Sequence, residues 1–188
     1  MDLEWNDPRT RRFVTSVGLI TTNGKWGHDI AAAEWTHHIS HSPSLISIHM
    51  HEENATAENI QGSKEFGVNL TSENQNWISS AAGNESGKEV DKVAALQELG
   101  VEFYGAKKIG VMMVKGAALN VECKLFKQVS LGDHIMFIGE VVDISADEGV
   151  KPIVYNNGRY WRFGDQIQKP QQEVLDKIAR TLEKHRKK

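Results

Sequence analysis

Residues 119–145 read LNVECKLFKQVSLGDHIMFIGEVVDIS, and the fold class follows from how this stretch alternates. In Leu119-Asn-Val121-Glu-Cys123-Lys-Leu125, apolar and polar side chains trade places at every step. That is the period of an antiparallel strand with one buried face. Gly132-Asp133 turns the chain, and HIMFIGEVVDIS runs back as its partner. Cys123 shares a face with Val121 and Leu125, so it reads as a small core residue rather than a nucleophile. The same grammar extends outward in both directions. IVYNNGRYWRF (153–163) is a second hairpin, with Asn156-Asn157-Gly158 at its turn. FVTSVGLITT (13–22) is rich in β-branched residues and ends at Asn23-Gly24. An Asn-Gly pair suits the two positive-φ positions of a type I′ turn, which predicts a return strand starting at Lys25-Trp26 and running through AAAEWTHHIS. Ser42-Pro43 turns the chain into LISIHMH (45–51), and EFGVNLT (65–71) is a further strand.

Helices are few. Asn54-Ala-Thr56 opens a short one, and Ser72-Glu-Asn-Gln75 has the form of a capping box for another, running to about Ala82. Residues 91–99 carry Val93, Leu96 and Leu99 at helical spacing, with Gly100 as the stop. Residues 170–188 form an amphipathic helix striped by Val174, Leu175, Ile178 and Leu182. Six or more strands at short spacing predict a mainly β fold, an antiparallel barrel rather than a doubly wound sheet.

Composition narrows the function classes. The chain has 188 residues, with 22 Lys+Arg against 25 Asp+Glu and a formal charge of -3, so no basic footprint marks it for nucleic acid. No apolar run approaches the ~20 residues needed to cross a bilayer, and residues 1–12 are too polar for a secretory signal. One cysteine excludes an intrachain disulfide framework and fits a reducing compartment, so a cytoplasmic protein is expected. GxGxxG, GxxxxGK[ST] and GxSxG are absent, which leaves no Rossmann, P-loop or nucleophile-elbow device. His37, His38 and His41 lie close together, and His49 and His51 alternate on one strand face. Imidazoles so spaced allow a metal-binding reading, but the pattern matches no zinc signature, and no dedicated metal site is expected.

Five stretches in order resemble the flavin reductase-like, FMN-binding split-barrel family, over roughly residues 13–165. VGLITT-NG is similar to its opening hairpin. HDIAAAEWTHHISHSPSLISIHM resembles its second and third strands, where the family often has Asn-x-Ala-Pro-x-Ser-Trp and then Ser-x-Asp-Pro-Pro. NATAENI followed by EFGVNL resembles its Thr-containing helix start and F-x-V-N-L strand. NESGKEVDK looks like the Ser-Gly-x-x-x-Asp-Lys loop of the flavoredoxin-like branch. The run from LNVECKL through GDH, GEV and PIVYNNGRY is similar to its C-terminal half. The resemblance implies a split barrel over 1–165 followed by the C-terminal helix over 166–188.

It also implies FMN as cofactor and a set of site residues. Thr56 would hold the terminal phosphate at a helix start; an ordinary N-cap is the plainer alternative. Ala31, Ala32 and Ala33 offer a shelf of small side chains for a flat ring and Trp35 a wall, with Thr36, His49, Met50 and His51 alongside. The alanine run equally suits packing against a second subunit. Glu34 stands where the family often has Ser, and Ala32 where it often has Pro. A carboxylate beside a flavin disfavours its anionic reduced form. Asn69 is expected to be buried near the cofactor, or else to be a strand-end polar group. Ser86 and Lys92 would reach the phosphate or ribityl chain, or form a solvated loop. His134 would stand at the open face of the ring, where it positions a donor or stabilises charge. Arg159 and Tyr160 would close the barrel.

The implied function is two-electron reduction of bound FMN by NAD(P)H, with onward transfer to free flavin, a ferric complex or a redox protein, in a homodimer. Two alternatives stand beside it: a flavoredoxin-like electron carrier without reductase activity, and a metal-binding protein using the His37–His51 cluster. With a barrel and a helix filling the chain, no separate domain remains to hold a nicotinamide, so a donor must visit the flavin directly.

Overall fold

The structure is a computed structural model that describes residues 1–4 and 7–187. Trp5, Asn6 and Lys188 lie outside the described residues, and with them part of the polar N-terminal stretch and the last residue of the expected C-terminal helix. β1 (Gly18–Gly24) and β2 (Gly27–Ala33) open the chain as a hairpin, followed by β3 (Thr36–His41) and β4 (Ser44–His51). α1 (Ala55–Ser63), β5 (Glu65–Leu70), α2 (Asn76–Asn84) and α3 (Lys92–Glu98) come next. Two short strands, β6 (Phe103–Gly105) and β7 (Met112–Val114), precede the long pair β8 (Leu119–Leu131) and β9 (His134–Ala146). The hairpin β10 (Val154–Asn156) and β11 (Arg159–Trp161) and the helix α4 (Gln172–Lys184) finish it.

Seven strands form one antiparallel sheet in the order β2-β1-β5-β8-β9-β4-β3. Its two edge strands, β2 and β3, are consecutive in the chain and separated by Glu34 and Trp35 alone. A flat seven-stranded sheet would hold its edges roughly 29 Å apart, whereas so short a link reaches about 10 Å. The sheet therefore rolls until its edges meet at this corner, and the ladder stays open along the seam. This is the expected mainly β, split-barrel architecture.

The rolled sheet encloses Ile20, Ile48, Phe66, Val121, Cys123 and Phe137, all buried. Gly139 makes this core possible: a Cβ there would stand 2.5 Å from Phe66 Cζ and 2.6 Å from Cys123 Cβ. Burial pushes the Cys123 thiol up to about 12, so almost no thiolate exists at neutral pH. Native protein is expected to leave Ellman's reagent unreacted and to release one equivalent only on unfolding. Rapid labelling of the native state would place the thiol outside the core.

On the opposite face, Leu19 and Ile30 pack under Ile78 and Ala82 of α2 and Val93 and Leu96 of α3. The face of β8 opposite the core is covered too. Glu122 is buried there and accepts hydrogen bonds from the backbone N–H groups of Lys107 (2.8 Å) and Lys108 (2.6 Å).

Two expectations need correction. The first hairpin turns at Lys25-Trp26, because Gly24 pairs with Gly27. Asn59 of α1 sets this register: its Oδ1 accepts from Trp26 N at 3.0 Å and its Nδ2 donates to Gly27 O at 3.0 Å. Gly27, at φ 71, supplies the positive dihedral expected of Asn23-Gly24. Helix α2 begins at Asn76 rather than Ser72. Ser72 forms a β-bridge to Pro152, so only the reach-back half of the box survives, Ser72 N donating to Gln75 Oε1 at 3.3 Å. By contrast, the Gly132 turn, the Gly100 stop and the Asn157-Gly158 turn stand as expected, and Asp91 caps α3 by accepting from Ala94 N at 2.9 Å.

Candidate functional site

The corner where β2 gives way to β3 is lined by two adjoining hollows. The larger, about 460 Å³, lies against Ala32, Ala33, Glu34 and Trp35 at the seam, His49, Met50 and His51 of β4, and His134 at the start of β9. Ser79, Ser80 and Gly83 of α2 and Tyr155 and Tyr160 of the last hairpin complete its wall. The smaller, about 260 Å³, lies between β2, the N-terminus of α1 and the 84–92 loop, against Asp29, Ala31, Thr56, Ser86, Gly87 and Lys92. Ala32, Asn54, Gly83 and Asn84 border both, so the two form one continuous trough. Its combined size falls in the ordinary range for a cofactor.

Chain geometry explains why these residues converge. Edge strand β2 ends in small side chains, and Glu34-Trp35 leaves the ladder, which turns the Trp35 ring out to 43% exposure. Two hydrogen bonds pin that corner: Thr36 Oγ1 donates to Ala33 O at 3.0 Å, and His49 N donates to Trp35 O at 3.2 Å. On the facing strands His51 pairs with His134 across the β4–β9 ladder. The His134 ring lies 3.9 Å from that of His51 and 4.8 Å from that of Trp35, centroid to centroid. Asp133 braces the pair, its Oδ1 bonded to His134 Nδ1 at 2.7 Å and its backbone O to His51 Nδ1 at 3.1 Å. The bond to His134 holds the Asp133 carboxyl below the usual range. Trp35, His134 and His51 thus make an aromatic wall opposite the alanine shelf. Glu34 sits at the rim, accepting from Thr15 Oγ1 at 3.3 Å, and partial burial raises its carboxyl above the usual range.

In the smaller chamber the side chains are already engaged with one another. Asp29 is 2% exposed. Its Oδ2 accepts from Thr56 Oγ1 at 2.6 Å, and Lys92 Nζ lies 3.2 Å from its Oδ1 and also donates to Ala82 O at 3.2 Å. Lys92 is close enough for charge pairing but off the line of a hydrogen bond, so Asp29 Oδ1 accepts none.

Of the residues singled out in the sequence, Ala32, Ala33, Glu34, Trp35, His49, Met50, His51 and His134 line the larger hollow, and Ala31, Thr56, Ser86 and Lys92 the smaller. Thr36 and Asn69 border neither. Asn69 is wholly buried and joins strands: Nδ2 donates to Leu19 O (2.8 Å), and Oδ1 accepts from Val114 N (2.8 Å) and Asn120 Nδ2 (2.7 Å). Tyr160 belongs to the separate two-stranded β10–β11 sheet and borders the larger hollow, its hydroxyl donating to Ser79 Oγ at 3.1 Å. Asp29, Asn54, Ser79 and Tyr155 were not foreseen. For Asp29 a signal existed: in the run matched to Asn-x-Ala-Pro-x-Ser-Trp it stands at the Asn, a third departure beside Ala32 and Glu34.

Among the described residues, one group of metal-ligand type brings its donor atoms within 4.8 Å of one another: His51, Asp133 and His134. It shares only His51 with the expected histidine cluster. His38 and His41 instead meet edge to face, centroids 4.5 Å apart, on exposed β3. The His51 and His134 rings are tilted at 35°, and the Nδ1 atom of each is already bonded to Asp133.

Comparisons with known proteins agree with the fold. The family model described as flavin reductase like domain matches residues 10–164. An FMN reductase (NADH) from Pseudomonas syringae pv. syringae is 26% identical over 145 residues, covering 77% of this chain and 78% of its own. A solved flavin reductase in its native state is 29% identical, with a TM-score of 0.71, covering 84% of this chain and 95% of that one. The flavoredoxin of Desulfovibrio vulgaris (Miyazaki F) superposes with a TM-score of 0.75 at 22% identity, covering 93% of this chain and all of that one.

Proposed function

The chain belongs to the flavin reductase like domain family, and from that premise we propose that it is an NAD(P)H-dependent flavin oxidoreductase working through FMN held in the trough. The observation that carries this reading is the trough itself: a slot with a small-residue floor at Ala32 and Ala33 and an aromatic wall of Trp35 and His134, continuous with a chamber at the N-terminus of α1. A flat, largely apolar ring suits the slot. The α1 backbone N–H groups and Ser86 offer the polar end of such a ligand its donors. When bound, the flavin supplies the two-electron chemistry.

The side chains then position and exclude. Trp35 and His51 hold the His134 ring flat against the cleft, and Asp133 on Nδ1 fixes its orientation, so His134 can steer a nicotinamide or stabilise charge without relaying a proton. The acceptor is free flavin, a ferric complex or a redox protein. α4 supports a homodimer: none of its residues is buried, and Val174, Leu175, Ile178 and Leu182 form a bare apolar stripe that a second copy would cover. Light scattering of the purified protein checks this.

The deciding experiment is a visible spectrum of purified protein supplied with flavin, followed by steady-state oxidation of NADH and NADPH. A yellow, stoichiometric complex that turns over faster than free flavin is expected. A complex slower than free flavin would make the protein a carrier, and a colourless preparation would remove flavin altogether.

Glu34 offers an electrostatic test of ring placement. A full negative charge near the flavin acts at about 1 kcal/mol, on a two-electron scale where 30 mV is about 1.4 kcal/mol. Glu34→Gln is expected to raise the bound flavin's midpoint potential by roughly 20 mV at pH 8. Because the Glu34 carboxyl titrates above the usual range, it gains its proton early as pH falls. The difference between wild type and variant therefore shrinks toward acid and is largest in alkali. Equal potentials at pH 8 would put Glu34 away from the ring.

A further inference from the structure

The smaller chamber looks at first like an anion cradle. It has the N-terminus of nine-residue α1, a hydroxyl at Thr56 and an ammonium at Lys92. Yet a carboxylate already sits among those donors. Asp29 takes the Thr56 hydroxyl at 2.6 Å and pairs with Lys92 at 3.2 Å. The two side-chain donors that a terminal phosphate would use are therefore committed to another anion. Asp29 is 2% exposed, and its Oδ1 accepts no hydrogen bond. Gly87 lies directly against that oxygen, and a Cβ there would collide with it. The loop thus seals the charge away from bulk water, and at such a buried site screening is weak.

A phosphate monoester has its second pKa near 6 and carries close to two negative charges at neutral pH. Placed in this chamber it meets the field of an anion whose counter-charge is already used. A hydroxyl-ended chain meets no such opposition. From this we infer that Asp29 is a specificity residue of the trough, one that sets the chain against dianionic flavin tails and in favour of uncharged ones. The inference rests on the proposed flavin site and sharpens it. The ring is held at the seam, the terminal phosphate adds little, and the flavin behaves as an exchangeable substrate rather than a tightly held prosthetic group.

The test is equilibrium binding of riboflavin and FMN to the full-length protein and to Asp29→Asn, read by flavin fluorescence. Wild type is expected to bind riboflavin at least as tightly as FMN. Asp29→Asn keeps the side-chain shape, frees Lys92 and removes the charge. It is expected to tighten FMN at least tenfold while riboflavin changes less than twofold, and the unchanged riboflavin affinity certifies the fold of the variant. The wild-type ratio needs no variant at all. FMN bound more than tenfold tighter than riboflavin by wild type, or an FMN-to-riboflavin ratio moved less than threefold by Asp29→Asn, overturns the inference and leaves the flavin site standing. Failure of wild type to bind either flavin overturns the site and the inference together.

Discussion

Replacing Lys92 by Met is expected to cost about 3–5 kcal/mol of folding stability, the scale for stripping one partner from a buried ion pair. Lys92 is 6% exposed and Asp29 2%, so neither charge has water to fall back on. Met fills much of the same space, and the loss is therefore electrostatic rather than a cavity. It also removes the bond from Nζ to Ala82 O, which ties the start of α3 to the end of α2. At about 2–4 °C per kcal/mol for a chain of this size, the melting midpoint should fall by roughly 6–20 °C. The double variant Asp29→Asn/Lys92→Met is expected to regain most of that loss, because the orphaned charge is gone. A single variant that melts like wild type, or a double variant no better than the single, would mean that the pair is solvated in solution.

That pair also marks the boundary of what the sequence could disclose. Strand β8 and its partner β9 were legible because alternation and a Gly132 turn are local signals, and the Asn157-Gly158 hairpin for the same reason. Where the outcome depends on a distant residue, local grammar fails. Asn23-Gly24 is a sound turn sequence, but Asn59, arriving on α1, clamps the next two residues into the tip. Glu122 sits at a position that alternation assigns to solvent, and the loop carrying Lys107 and Lys108 covers it. Strands β6 and β7, at three residues each, are too short to show a period.

The site divides the same way. The seam residues Ala32 to Trp35, the β4 end and His134 could be found because each lies in a motif with its own order and spacing. Asp29 could not be weighed from its motif alone. A carboxylate at that position reads as solvent-facing until Lys92 and Thr56 are seen to enclose it. Helix α4 was legible in pattern, but no residue of its stripe is buried among the described residues.

His134→Ala is the kinetic counterpart, with an expected fall in hydride transfer of about tenfold to a hundredfold, the scale for misplacing a reacting partner. The ring is 9% exposed, stacks on His51 and lies 4.8 Å from Trp35. Its removal opens one wall of the cleft and also releases Asp133. Ala32, Ala33 and Trp35 still line the slot, so the variant is expected to bind flavin more weakly but to keep it. Stopped-flow mixing of the flavin-loaded variant with NADH or NADPH separates the two effects, since flavin occupancy is read from the starting absorbance and transfer from its decay. His134→Gln keeps a polar side chain without the aromatic face. If orientation by stacking is what matters, Gln should be as slow as Ala; if a hydrogen bond to the donor is what matters, Gln should recover part of the rate. A variant that loses flavin would shift His134 from the donor's side of the ring to the ring's own support. An unchanged transfer rate would detach it from the reaction, and Trp35 and His51, which form the rest of that wall, would be the remaining groups positioned to meet the donor.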